Sequence, residues 1–289
     1  MPLEPPVTTA ARPASEKAAL DPVFGAFLGS AAMRLLVSVI APAEAPEALA
    51  GGADIVDVKN PAEGSLGAAS PAVLRRVRAQ VSPPAEVSAA LGDAPHLPGT
   101  LAFAAFGAVA CGAEYVKVGL LGSRQAREAL ALLVAVQRAA HDADPRARVV
   151  AVGYADAARV GALPPALLPA IARDAGLYGV MLDTAVKDGT SALDALGEAA
   201  VADFVAAARD AGLVVGLAGA LGPEHVPLVR SLGVDIVGVR GSACDGGRAG
   251  AVRAERVRAL RAALGLSTPP SPASAPAPAA PAAAPAAGR

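Results

Sequence analysis

The chain has 289 residues and a formal net charge of -1, with 18% charged residues, and neither the sign nor the clustering of that charge forms a footprint for nucleic acid or an anionic membrane. Its length suits one large domain or two small ones, and no apolar run is long enough to cross a bilayer. Cys111 and Cys244 are too few and too far apart to read as a disulfide framework or a zinc site, so neither metal nor cofactor is expected.

Residues 1–32 are rich in Pro, Ala, Ser and Thr, hold no durable period, and read as a flexible extension. No basic segment precedes an apolar stretch there, which points to a cytoplasmic protein. From residue 33 to 266, strands and amphipathic helices alternate. Strands are predicted at Leu35–Val39, Ile55–Val58, Glu86–Leu91, Tyr115–Gly119, Val149–Gly153, Val180–Asp183, Val214–Ala218 and Ile236–Val239. Helical stretches between them include Pro71–Val81, Ser123–Asp142, Pro164–Ala175, Ala202–Ala211, Pro223–Leu232 and Ala254–Leu264. Gly-x-acid-apolar recurs at Gly52, Gly112 and Gly233, each glycine closing a helix before a strand. Eight such units predict a (β/α)8 TIM barrel, and no Gly-x-Gly-x-x-Gly favours a dinucleotide fold. Residues 267–289 form a Pro/Ala tail that cannot bury a core.

The second strand carries the first chemical signal. On a period of two, Ile55, Asp57 and Lys59 share one face and Val56 and Val58 the other, setting a carboxylate and an ammonium together at the strand's C-terminal end. Buried unpaired, such groups would cost several kcal/mol, so a mutually paired functional site is expected. The plainer alternative is an ion pair that only fixes register. Lysine usage points the same way: Lys17, Lys59, Lys117 and Lys187 are the only lysines, against 21 arginines. Where a cation need only be a cation this chain uses Arg, whereas only Lys can be desolvated into a neutral nucleophile.

A TIM barrel builds its active site where the strands end. Asp57, Lys59, Lys117, Asp183 and Lys187 are the charged residues predicted at those ends. Three ammoniums with two carboxylates leave an excess of positive charge, which should lower at least one lysine pKa and permit Schiff-base chemistry with a second lysine moving the proton. The loops after strands seven and eight, around Gly219 and around Arg240, Gly241 and Ser242, are glycine-rich enough to cradle phosphate, with Arg240 favouring an anion at the second. For the first loop, tight turns explain the glycines equally well. Asp93 and Asp156 border the same mouth or serve as turn residues and helix caps. His96, His141 and His225 are scattered and assigned no chemistry.

Four segments, GADIVDVKNPAEGSLG from Gly52, YVKVGL from Tyr115, MLDTAVKDG from Met181 and DIVGVRGSAC from Asp235, together resemble the (5-formylfuran-3-yl)methyl phosphate synthase family of methanofuran and methylofuran biosynthesis. The resemblance spans about residues 33–266. It implies a (β/α)8 enzyme that condenses two molecules of glyceraldehyde 3-phosphate into a furan phosphate, losing phosphate and water. It further implies that Lys59 forms the Schiff base, Lys117 accepts the proton, and Asp57, Asp183 and Lys187 support them. The partner expected is a phosphorylated triose, with a homo-oligomeric chain and neither nucleic acid nor membrane. Two alternatives stay open: a phosphosugar decarboxylase or epimerase barrel using Lys as a non-covalent acid or base, and a non-catalytic regulatory barrel.

Overall fold

The computed structural model describes residues 33–267 apart from Ala94; the two expected extensions, 1–32 and 267–289, therefore lie outside the described residues except at Ser267. Eight parallel strands close into a barrel in sequence order: β1 (Arg34–Val39), β2 (Ile55–Val58), β3 (Glu86–Ala90), β4 (Tyr115–Gly119), β5 (Arg148–Tyr154), β6 (Gly179–Asp183), β7 (Val214–Leu217) and β8 (Ile236–Val239). β8 pairs back onto β1, so no strand edge is left unpaired.

The helices are α1 (Ala45–Ala50), α2 (Pro71–Arg78), α3 (Pro98–Ala110), α4 (Ala126–Ala143), α5 (Ala157–Val160), α6 (Leu168–Asp174), α7 (Ala192–Leu196), α8 (Glu198–Asp210), α9 (Val226–Leu232) and α10 (Ala254–Ala263). No helix among the described residues is long and apolar enough to cross a membrane. The expected stretches at Pro164 and Pro223 each resolve into a 3-10 turn that leads into α6 or α9. Proline suits that first turn because its missing N–H has no intrahelical acceptor there. Gly233 closes α9 in the left-handed region, at φ 63, where a side chain would be strained. α3 is not among the helical stretches named from the sequence. Its sequence, PGTLAFAAFGAVA, is apolar on nearly every side, so no 3.6-residue stripe marks where it starts.

Strand alternation divides the interior into two layers. Leu35, Val37, Val39, Val56, Val58, Val116 and Val118 pack outward beneath the helices. Leu36, Ile55, Tyr115, Val150, Val152, Met181 and Ile236 fill the barrel itself. Lys59 and Lys117 therefore follow the inward face, because Ile55 and Tyr115 on the same period of two lie inside. At the opposite end, the first residues of β1, β3, β4 and β5 form a plug in which Arg34 and Arg148 both pair with Glu86 and Arg148 stacks 3.8 Å from the Tyr115 ring centre.

Candidate active site

Asp57 lies fully buried on β2. Its Oδ2 accepts from Lys117 Nζ at 2.8 Å and from the Ser38 hydroxyl at 2.9 Å. Oδ1 is buried with no hydrogen-bond partner among the described residues. An acceptor left so is costly, and the Lys117 ammonium is what makes the carboxylate tolerable there. On the far side of the barrel, Asp183 Oδ1 at the end of β6 accepts from Lys187 Nζ and from the Thr184 N–H, both at 2.7 Å. Burial alone would raise the Asp183 carboxyl. The charges of Lys187 and Lys59, with those two hydrogen bonds, instead hold it below the usual carboxylate range.

Each carboxylate thus has its own lysine, and Lys59 is the cation left over. Only 4% exposed, it makes no ion pair among the described residues. Burial pushes its pKa down from 10.5 to about 7, and the Lys117 and Arg248 charges add to that against the pull of Asp183 and Asp57. An amine so placed is substantially neutral near pH 7, the state a nucleophile requires. Lys59, Lys117, Asp183 and Lys187 line one cavity of about 430 Å³, with Ser38 and Thr184 between them, and Asp57 supports Lys117 from below. All five charged residues singled out by sequence therefore meet at one mouth.

The far wall of this cavity is made by the loops after β7 and β8, including Gly219, Ala220, Gly241, Ser242 and Arg248. The N–H groups of Gly219, Ala220, Gly241 and Ser242 have no protein acceptor among the described residues. Ala220 has φ 51, the one positive φ of a residue other than glycine among those described, so strain is concentrated in the loop that lines the cavity. The Ser242 hydroxyl donates to Leu221 O at 2.9 Å and ties the two loops together.

Arg240 is placed otherwise than expected. Its guanidinium is buried against Glu44 at 3.0 Å, and its remaining N–H groups go to the carbonyls of Ser38, Arg248 and Gly250. All five donors are spent within the protein, leaving none for an anion. Arg240 instead anchors the loop that carries Arg248, whose side chain lines the cavity without a hydrogen-bond partner among the described residues. Sequence reasoning passed over Arg248 because it chose the arginine nearest the strand end.

Asp156 accepts the N–H groups of Ala185 and Val186 at 2.7 and 2.9 Å, fixing the loop that bears Lys187. Cys111 and Cys244 are both buried free thiols.

A family model described as 4-HFC-P synthase matches residues 35–261. The chain belongs to that family. It is 51% identical over 215 residues to the (5-formylfuran-3-yl)methyl phosphate synthase of Methanocaldococcus jannaschii, covering 74% of this chain and 92% of the relative. To the protein of the same name from Methanothermobacter thermautotrophicus it is 51% identical over 234 residues, covering 80% and 99%. The chain is accordingly an enzyme, one whose relatives are named synthases. Solved structures similar in fold include the KGPDC of Streptococcus mutans, with a TM-score of 0.58 at 15% identity over 81% of this chain and 97% of that one. A 3-hexulose-6-phosphate synthase gives 0.54 at 19% identity, covering 80% and 100%. At such identities only the barrel is shared.

Proposed function

We propose that this enzyme makes (5-formylfuran-3-yl)methyl phosphate, the product in its relatives' names, by condensing the two molecules of glyceraldehyde 3-phosphate that the family resemblance implies. The single observation that carries the reading is the unpaired, buried Lys59 amine, with its pKa lowered to about 7 beside the Lys117–Asp57 ion pair. Neutral Lys59 adds to a triose carbonyl. The Lys117 ammonium, held by Asp57, supplies a proton to the carbinolamine oxygen, which leaves as water to give the imine. Lys117, now neutral, takes a proton from the carbon next to the imine. The resulting enamine expels the phosphate carried on its third carbon, and the enol left behind attacks, through that carbon, the carbonyl of the second triose taken as its ketone isomer, which forms the carbon–carbon bond. The hydroxymethyl oxygen of the second triose closes the ring on the neighbouring carbonyl, two waters leave, and hydrolysis of the imine frees Lys59 and the formyl group; two trioses thus balance against one furan phosphate, one phosphate and two waters.

Phosphate would be received by the N–H groups of Gly219, Gly241 and Ser242, with Arg248 as the cation. Asp183 and Lys187 hold opposite charges across from Lys117 and are suited to binding the second triose or the departing phosphate.

Borohydride reduction in the presence of glyceraldehyde 3-phosphate tests this directly. The protein should gain one reduced triose, and peptide mass spectrometry should place it on Lys59. An adduct on Lys117 would exchange the two roles. Turnover without any adduct would favour the non-covalent lysine chemistry of decarboxylase and epimerase barrels, for which the Asp57–Lys117 pair is equally equipped.

A further inference from the structure

Asp93, in the loop after β3, takes no part in the scheme above, yet three other segments of the barrel mouth converge on it. Its Oδ2 accepts the Leu66 N–H at 2.8 Å, and its Oδ1 accepts from the hydroxyl of Tyr154, a residue 1% exposed at the end of β5. A methyl group on Gly119, at the end of β4, would collide with both Oδ1 and the Tyr154 oxygen. One on Gly64 would lie 2.8 Å from Oδ2, in a residue whose φ of 124 already excludes a side chain. The carboxylate is therefore closely enclosed by the ends of β4 and β5 and by the loop that follows Lys59.

That loop is closed on itself by Asn60 N–H to Gly67 O, 2.8 Å. The Ser65 hydroxyl reaches across the mouth and donates to Thr184 O at 2.9 Å. Thr184 is the residue whose N–H bonds Asp183 and whose hydroxyl accepts from Lys187 Nζ at 3.2 Å. A continuous chain of contacts thus runs from Asp93 through Leu66 and Ser65 to Thr184 and the Lys187–Asp183 pair. For a turn alone, asparagine would serve and cost less. Burial raises the Asp93 carboxyl above its ordinary value, with the Asp183 charge adding to the rise, against the Leu66 N–H and Lys187. A carboxylate kept in such a place breaks a local rule of stability, which proteins do chiefly at functional sites.

We infer that Asp93, held by Tyr154, is a positioning residue for the Lys187–Asp183 pair, acting through the 60–67 loop and Thr184. Removing it lets the loop shift and releases Ser65 from Thr184. Lys187 then loses its fixed place against Asp183.

The test uses the full chain with Asp93→Asn, Tyr154→Phe and Gly119→Ala, the last crowding the same contact without altering a charge. Competitive acetylation without substrate, read by peptide mass spectrometry against free N-acetyl-lysine amide, reports Lys59, Lys117 and Lys187 separately. In all three variants Lys187 should be labelled several-fold faster while Lys117, held by Asp57, is unchanged. Turnover should fall on the order of 10- to 100-fold in kcat, since displacements near 1 Å suffice for that, and KM should rise as well because the same pair is placed to bind substrate. Only this kinetic arm rests on the function proposed above; failure of that proposal would appear as no borohydride adduct in the parent enzyme, with the labelling difference intact. The inference is overturned if Lys187 labelling and kcat match the parent in variants that unfold cooperatively. It is equally overturned if all three lysines gain reactivity together as cooperative unfolding is lost, the mark of a general structural role. Should Asp93→Asn fail to fold, Tyr154→Phe decides between these outcomes alone.

Discussion

The two ends of the barrel are both charged and half closed to water, but they are built from different cations. At the N-terminal ends of the strands, Arg34 and Arg148 share Glu86, Arg34 also donates to the Tyr115 hydroxyl at 2.6 Å, and the arginines lie against aromatic rings. At the C-terminal ends three lysines, Lys59, Lys117 and Lys187, stand beside Arg240 and Arg248 around the cavity. Guanidinium keeps its proton and offers a planar fork, so it suits a plug whose charge must never change. An ammonium is a point charge whose proton can be displaced by burial, and Lys59 shows the result. One end holds charge, and the other is equipped to move it.

Exchanging the cation at the mouth should break this contrast most severely. Lys59→Arg leaves a permanent charge where a neutral amine is needed, so turnover and the borohydride adduct should both vanish while the fold survives, as circular dichroism would report. Lys117→Arg preserves the ion pair with Asp57 but not the transferable proton. Turnover should drop by about 10²–10⁴-fold, the usual worth of general acid–base assistance, with some adduct on Lys59 retained. If Lys117→Arg loses adduct and turnover equally, the separation of roles between the two lysines is wrong.

At the plug, the expected damage is to stability and not to chemistry. Glu86→Gln leaves Arg34 and Arg148 facing each other without their anion and should cost about 1–3 kcal/mol in urea unfolding, with kcat within about twofold of the parent. A comparable loss of kcat would mean that the two ends are mechanically coupled.

The smallest effects are in pH dependence and sharpen the comparison. Burial raises the Glu86 carboxyl, but the bonds and charges of Arg148 and Arg34 outweigh it, so its pKa in the fold lies below that of the unfolded chain. The stability it confers is present above the unfolded value and is lost as pH falls through the folded one. Lys59 is also lowered, but its cost to the fold is complete below about 7 and is relieved as pH rises toward 10.5. Lys59→Met should therefore raise Tm at neutral pH, by about 2–4 °C for each kcal/mol relieved, and flatten the alkaline rise in stability. Glu86→Gln should flatten the acid fall only. In the parent enzyme, turnover should increase through about pH 7 as the Lys59 amine loses its proton.

Much of this was legible from residue order alone. Strand alternation assigned Ile55, Asp57 and Lys59 to one face, and β2, β4 and β8 end where their patterns end. Scarcity of lysine singled out three residues that the fold brings to one cavity. Periodicity failed at α3, where an apolar helix carries no stripe to read, and the strand-end rule, which brought Arg240 to the cavity, could not show that its donors are taken by Glu44 and three carbonyls. Both arginines line the cavity, but which one keeps its donors free depends on Glu44, distant in sequence but adjacent across the β8–β1 seam, which captures Arg240 and leaves Arg248 unpaired among the described residues. Asp93 and Asp156 looked like turn residues for the same reason: the N–H groups they accept belong to Leu66, Ala185 and Val186 in other loops. The sequence by itself determined the barrel, its charged face and the choice of lysine, since these follow from local period and side-chain chemistry. Only the tertiary structure decided which carboxylate neutralises which cation, and so left Lys59 unpaired, because closing the barrel sets the distances on which charge pairing and desolvation depend.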